Sequence, residues 1–448
     1  MTNSIRRRLG AGLLGALGTV GAGAASVRVA AAVKDLVVAH RFGTGDAVEA
    51  FLLAFVLPIF LAGSFRSAFL ASFVPRYLQA EARRGPEAAR EGLRRAVAVQ
   101  LVLLAVLAGG LALAAGPVVA ALGRAFAPDK RELTRHFVVL LAPFVILDGA
   151  AGMFTATLYA RRRYAGAALV SALPPLVALV AVLALPAAWG AGVLVVGVLV
   201  GSALEAAVSG ALILRGGWGG APAFARPGPE ELDLLRGFAL LLVGGILMSA
   251  NTVVDQAMAA AAGDGNVAAL SYGVKIPAAV LGLVGVALTA TTLPHYATFV
   301  AVNRFREMGA SLRKHAVLLA SAGLAIAVLL ALLSRPLVRM LFEHGSFGAA
   351  DTARVAKIQA LYAFQIPGFL VGMVAARCLN ALGRDRLILA VSGLNFVLNV
   401  AGNWVLLRWI GVPGIALSTA VVYTVSATLL LLLCRRAVRQ EALRDQKP

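Results

Sequence analysis

Residues 13–40 read LLGALGTVGAGAASVRVAAAVKDLVVAH. Apart from Arg28, Lys34 and Asp35, the run is almost wholly Gly, Ala, Val and Leu. It exceeds the ~20 apolar residues that a helix needs to cross the hydrocarbon of a bilayer. A charge at bilayer depth costs at least ~2.5–3.5 kcal/mol, so such groups face a water-filled or substrate-filled cavity rather than lipid. This stretch therefore reads as a membrane helix with one face turned to a polar, cation-bearing space.

The rest of the chain repeats the pattern. Its 448 residues are 60% hydrophobic and 14% charged, with a mean hydropathy of +0.86, whereas soluble domains carry about 25% charged residues. Apolar runs near 10–40, 47–75, 96–123, 134–160, 165–187, 190–214, 234–262, 267–299, 313–342, 353–381, 386–409 and 411–434 predict an all-α polytopic membrane protein of about twelve spans. Pro58, Pro143, Pro174, Pro175, Pro277 and Pro367 fall inside spans and predict bent or broken helices. Arg6–Arg8 followed by Leu9–Ala25 has the form of a secretory signal peptide. The apolar run continues to His40, however, which favours an uncleaved first helix.

A net charge of +20 in a soluble protein would point to nucleic acid, but here Arg and Lys concentrate in alternate loops. One set of ends and loops, from Arg6–Arg8 through Arg76–Arg95, Arg161–Arg163, Arg215, Arg304–Lys314 and Arg384 to the C-terminal tail, holds 26 cations. The opposite set, which includes Arg41, Arg124, Lys130, Arg335 and Arg408, holds 8. The positive-inside rule then places both termini in the cytoplasm. Cys378 and Cys434 are too few for a disulfide framework or a zinc site and read as small buried residues.

The two halves resemble each other. Phe-Val-Pro-Arg-Tyr (73–77) after the second span answers Thr-Leu-Pro-His-Tyr (292–296) after the eighth, and Gly152-Met153 answers Gly372-Met373. Val170-Ser171 likewise answers Val391-Ser392. Residues 1–214 and 233–448 read as six-helix lobes related by a pseudo-twofold axis along the membrane normal. The Gly- and Pro-rich stretch 215–232 reads as a cytoplasmic linker.

Charges within the spans carry the functional signal. Arg28 and Asp35 lie two turns apart on one helical face, with Lys34 pointing elsewhere. Glu49 opens the second span and Arg66 sits in its later half. Lys275 follows Ser271-Tyr272 in the eighth, and Asp148, Glu205, Asp255 and Arg377 are isolated. One reading is intramembrane pairing, such as Arg28 with Glu49 or Lys34 with Asp35. The other is a cleft lined by Arg28, Lys34 and Lys275 from both lobes, suited to phosphate or pyrophosphate; the sequence leaves the placement of Arg66 open. Asn395, Asn399 and Asn403 form an i, i+4 stripe. With Asp255 and Thr419, Asn395 and Asn399 offer oxygen donors for Na⁺, or else ordinary interhelical hydrogen bonds. No P-loop, dinucleotide fingerprint, HExxH or CxxC motif points to an enzyme or to a bound cofactor.

Two motif-bearing regions resemble the MurJ (MviN) lipid II flippase family of the MOP exporter superfamily. In the N-terminal half these are Arg28…Lys34-Asp35…His40-Arg41-Phe-Gly-Thr-Gly45…Glu49 and Phe65-Arg-Ser-Ala-Phe69…Phe73-Val-Pro75. In the C-terminal half they are Ser271-Tyr-Gly-Val-Lys275 and Leu341-Phe-Glu-His-Gly345-Ser-Phe347. The resemblance covers most of the chain and twelve spans of a family whose members have two more. It implies a monomeric alternating-access flippase of the bacterial inner membrane, with a polyprenyl-pyrophosphate-linked saccharide as cargo and membrane lipids as surroundings. It also implies substrate contacts by Arg28, Lys34 and Lys275 with Asp35, Glu49 and Arg66 nearby, and a Na⁺ site near Asp255, Asn395, Asn399 and Thr419. The family's Arg-Arg pair in the second span is Ala62-Gly63 here, and two family arginines appear as Lys34 and Lys275. Flippases for exopolysaccharide or O-antigen precursors, and multidrug cation antiporters of the same superfamily, are the alternatives; the cationic cleft disfavours an antiporter.

Overall fold

Where lipid cannot hydrogen-bond the backbone, helices satisfy it internally, and the computed structural model is helical throughout the residues it describes, 26–224 and 229–444. Arg6–Arg8, the first half of the span expected at 10–40 and part of the linker therefore lie outside the described residues. Helix α1 covers 26–42. It is followed by α2 (Asp46–Arg84), α3 (Pro86–Leu113), α4 (Ala115–Leu122), α5 (Pro128–Ala160), α6 (Tyr164–Ser171), α7 (Leu173–Ala184), α8 (Gly192–Arg215) and α9 (Pro229–Ala261). Then come α10 (Asn266–Gly273), α11 (Lys275–Ala301), α12 (Phe305–Leu332), α13 (Ser334–Phe342), α14 (Ala349–Ala363), α15 (Gln365–Ala381), α16 (Asp385–Ile410) and α17 (Pro413–Arg444). Among the described residues, ten helical runs are long and apolar enough to cross a membrane. The chain is thus an all-α, multi-pass membrane protein.

Five of the runs are broken, and each break falls three residues before a proline. The interruptions are Ala114, Ala172, Val274, Leu333 and Phe364, ahead of Pro117, Pro175, Pro277, Pro336 and Pro367. A proline lacks the N–H that would bond four residues back, and its ring crowds that carbonyl, so the helix restarts just upstream. Pro58 and Pro143, expected to interrupt as well, are carried inside the continuous α2 and α5.

The chain forms two compact units. The first contains 26–38 and Asp46–Ser249, and the second Ala39–Gly45 and Ala250 onward. The division runs through α9 rather than through the linker. In the first unit, α2 packs on α5 and α3, and α5 and α7 pack on α8; Phe238 of α9 meets Phe65 of α2 at 5.0 Å between ring centroids. In the second, α15 packs against α17, α12 and α11, and α14 receives α10 and α13.

The repeat seen in the sequence has a structural counterpart in each unit. Tyr77, buried in α2, accepts hydrogen bonds from Arg161 at 2.6 and 3.0 Å. Tyr296, buried in α11, bonds His315 of α12 at 3.0 Å. In both repeats the Pro-x-Tyr end of a helix is pinned by a buried phenol.

The turn 39–45 is built into the second unit by the two motifs singled out in the sequence. Ser346 donates its N–H to the His40 carbonyl at 2.8 Å and its hydroxyl to that of Arg41 at 3.1 Å. Thr44 bonds Asp351 at 2.5 Å, and the Tyr272 hydroxyl donates to the Gly43 carbonyl. Gly43 has a φ of 56°, and a Cβ there would collide with the Ser346 backbone. Gly43→Ala should therefore cost about 1–2 kcal/mol in left-handed strain alone, read as a lower thermal midpoint of the purified protein. Gly63→Ala, in the open interior of α2, should instead raise stability by about 0.5–1 kcal/mol.

Candidate functional site

In α1, Arg28 is exposed, while Lys34 and Asp35 form an ion pair at 2.8 Å. Adjacent residues leave a helix about 100° apart, which suggested that Lys34 points away from Asp35. The four-carbon stem of Lys34 instead swings back to reach it. Lys275 is the first residue of α11, placed there by the break at Val274. A cation at this end opposes the helix dipole, which favours negative charge by about 0.3–1 kcal/mol.

Glu49 and Arg66 are placed otherwise than the cleft reading expects. Glu49 is fully buried and accepts from Lys130 of α5 at 2.6 Å, while Lys130 also reaches Asp46 at 2.7 Å. The ammonium stands 4.2 Å from the Phe126 ring centroid. The pairing of Glu49 with Arg28 is therefore corrected: Glu49 ties α2 to α5. Lys130 had been counted only as a loop cation, and no periodicity marked it out.

Arg66 donates to Asp148 at 2.7 Å and to Glu205 at 3.3 Å. Ser171 donates to the same Glu205 oxygen at 3.2 Å. The two acids that looked isolated in the sequence thus share one guanidinium across α2, α5 and α8. The break before Pro174-Pro175 leaves Ser171 at the last residue of α6. Gly152 makes the approach possible, since a Cβ there would stand 2.7 Å from Arg66 Cγ.

The second unit holds a polar cluster. Asp255 of α9 accepts from Asn403 at 2.6 Å and is also hydrogen-bonded by Asn399, both on α16. The Asn403 amide lies 3.4 Å from Asn399 Oδ1. Asn399 and Asn403 are 2% and 0% exposed, and the Asn403 Oδ1 has no hydrogen-bond partner. Among the described residues no cation pairs with Asp255. Asn395, two turns away, bonds Ser426 instead, and Thr419 donates to the Ile415 carbonyl while meeting Tyr362. The oxygen cluster is therefore Asp255, Asn399 and Asn403; the i, i+4 stripe contained Asn403, but only the fold brings it to Asp255. A buried carboxylate with neutral amide partners and an orphaned carbonyl oxygen fits a small hard cation such as Na⁺.

These features define a multi-pass helical protein of the MOP transporter fold. The structure matches a lipid II flippase MurJ in an inward closed conformation with a TM-score of 0.78 at 17% identity, covering 95% of this chain and 90% of that one. It matches an inward-facing multidrug resistance MATE family transporter of the MOP superfamily with a TM-score of 0.74 at 15% identity, covering 94% and 96%. In sequence, the profile of the family described as lipid II flippase MurJ matches residues 38–446. Probable lipid II flippases MurJ of Rhizobium meliloti (strain 1021) and of a Synechocystis strain are similar. The first is 26% identical over 430 residues, 92% of this chain and 78% of the relative, and the second 25% over 434, 90% and 78%. The chain belongs to the lipid II flippase MurJ family.

Removing one partner of a buried ion pair strands the others and costs about 3–5 kcal/mol. Arg66→Ala should therefore lower the thermal midpoint sharply, and Arg66→Ala combined with Asp148→Asn and Glu205→Gln should recover most of the loss. A triple variant no more stable than the single one would show that charge balance is not what the cluster supplies.

Proposed function

We propose that this chain flips a polyprenyl-pyrophosphate-linked saccharide, lipid II or a close relative, from the inner to the outer leaflet of the bacterial cytoplasmic membrane. It acts as a monomeric transporter with both termini in the cytoplasm. The observation that carries the reading is the placement of Lys275 at the broken N-terminus of α11, in a chain whose MurJ-family match runs from 38 to 446. The ammonium there favours a phosphate oxygen. Arg28 and Lys34 on α1 supply the further cations that two phosphates need. Arg28 offers the planar fork suited to bidentate contact, and Lys34 a point charge.

Asp35 serves as the resting partner of Lys34. Substrate phosphate replaces that carboxylate, so Lys34 is held in place without being left as a bare charge at depth. Glu49 and Arg66, both engaged in buried pairs, act in this reading as framework rather than as substrate contacts. Asp255, Asn399 and Asn403 would hold Na⁺, with Asn395 and Thr419 outside the direct set. A bound ion would neutralise Asp255 and so couple the second unit to the sodium gradient. Arg28 on α1 and Lys275 on α11 add cations to the spans, which favours an anionic lipid cargo over a cationic drug.

The test is depletion of a host's lipid II flippase with expression of this chain, scoring survival and externalised lipid II. Rescue is expected, and Arg28→Ala or Lys275→Ala should reduce externalisation about ten-fold or more, the worth of one charged hydrogen bond of ~1.5–3 kcal/mol. Normal expression without rescue would rule out lipid II as cargo. Asp255→Ala should flatten the dependence of transport on sodium concentration; an unchanged dependence would remove the ion site.

A further inference from the structure

Each unit has an arginine-lined cavity at its helix ends. The larger, about 580 Å³, sits between the α5–α6 turn and the end of α8. Arg162, Arg163 and Arg215 line it together with Tyr164, Trp218 and Leu212. The smaller, about 280 Å³, lies between the start of α12 and the end of α17, with Arg306, Arg435 and Arg439 beside Phe305, Val438 and Leu443.

The three arginines of the larger cavity differ from their neighbours. Arg161 pairs with Glu81, and Arg94 and Arg95 pair with Glu91. Among the described residues no carboxylate pairs with Arg162, Arg163 or Arg215. Arg162 also carries a φ of 56° in the turn that closes α5, where its N–H bonds the Tyr159 carbonyl and that of Arg163 bonds the Leu158 carbonyl. Glycine usually takes this position, and a residue with a Cβ there is held at a cost in strain. In the second unit the matching turn after α15 uses Gly383, which takes the conformation without strain. Trp218 lies flat over Gly216, and the Arg163 guanidinium stands 5.6 Å from its ring centroid. An aromatic pair and three unpaired guanidinium groups thus surround a cavity at the mouth of two membrane helices. The same helices present Leu169 and Leu214, 73% and 58% exposed.

We propose that this cavity binds the headgroup of an anionic glycerophospholipid, with its phosphate among Arg162, Arg163 and Arg215 and its acyl chains along α6 and α8. The smaller cavity is a second such site. Basic pockets between membrane helices take anionic headgroups for the same reasons of charge and depth, and Trp and Tyr favour the interfacial level. A free phosphate would use the arginines but leave the adjoining apolar surface uncovered. The site is independent of the cargo proposed above.

The test titrates the purified full-length chain with phosphatidylglycerol or phosphatidylcholine and counts retained lipid by native mass spectrometry. Phosphatidylglycerol should be retained and phosphatidylcholine lost. Combining Arg162→Gln, Arg163→Gln and Arg215→Gln should weaken retention at one site by about five-fold per arginine removed. Arg83→Gln, Arg313→Gln and Arg386→Gln together, which remove equal charge outside both cavities, should not. Equal retention of the two lipids, equal loss in the control variant, or full displacement by glycerol phosphate would each overturn the site. In the unaltered chain a photoactivatable phosphatidylglycerol should label peptides from 158–166 or 212–218; labelling confined to other segments would overturn it without recourse to a variant.

Discussion

A proline in a helix surrounded by lipid leaves one carbonyl without its donor and no water to replace it. That deficit governs where this chain bends, because five helical runs are interrupted three residues ahead of a proline. The breaks also place polar side chains. The one before Pro277 sets Lys275 at a helix start, and the one before Pro175 leaves Ser171 free to reach Glu205. Backbone chemistry thus positions the groups that the side-chain chemistry then uses.

The charges within the spans divide into two kinds. Arg66 with Asp148 and Glu205, and Lys130 with Glu49 and Asp46, are closed clusters tying helices of the first unit together. Their desolvation is offset by short contacts, as buried ions require. Arg28 is exposed on α1, and Lys275 stands at the start of α11. Asp255 is the counterpart in the second unit, a carboxylate held by amides alone. The family match agrees with the anionic lipid cargo proposed for the cations of α1 and α11.

The all-α, multi-pass architecture was legible from apolar run lengths, since hydrocarbon thickness leaves the chain few alternatives. The candidate site was legible only in part. Spacing identifies partners one or two turns apart on a helix, as with Asn399 and Asn403, but says nothing about partners 82 or 139 residues away, as with Arg66 and its two acids. Burial of Glu49 against Lys130 was hidden for the same reason. The pairing of Lys34 with Asp35 was one of two readings that spacing left open, because the direction of a Cβ does not fix where a flexible ammonium comes to rest.

The turn at 39–45 lies in sequence between the first two helices, yet its hydrogen bonds belong to the second unit. The chain therefore passes between the units three times rather than once. A duplicated half that lends a segment to its twin is the intramolecular form of a domain swap. Neither half is then a complete folding unit: severing the Gly- and Pro-rich linker would leave each with a piece missing, so the two must mature together.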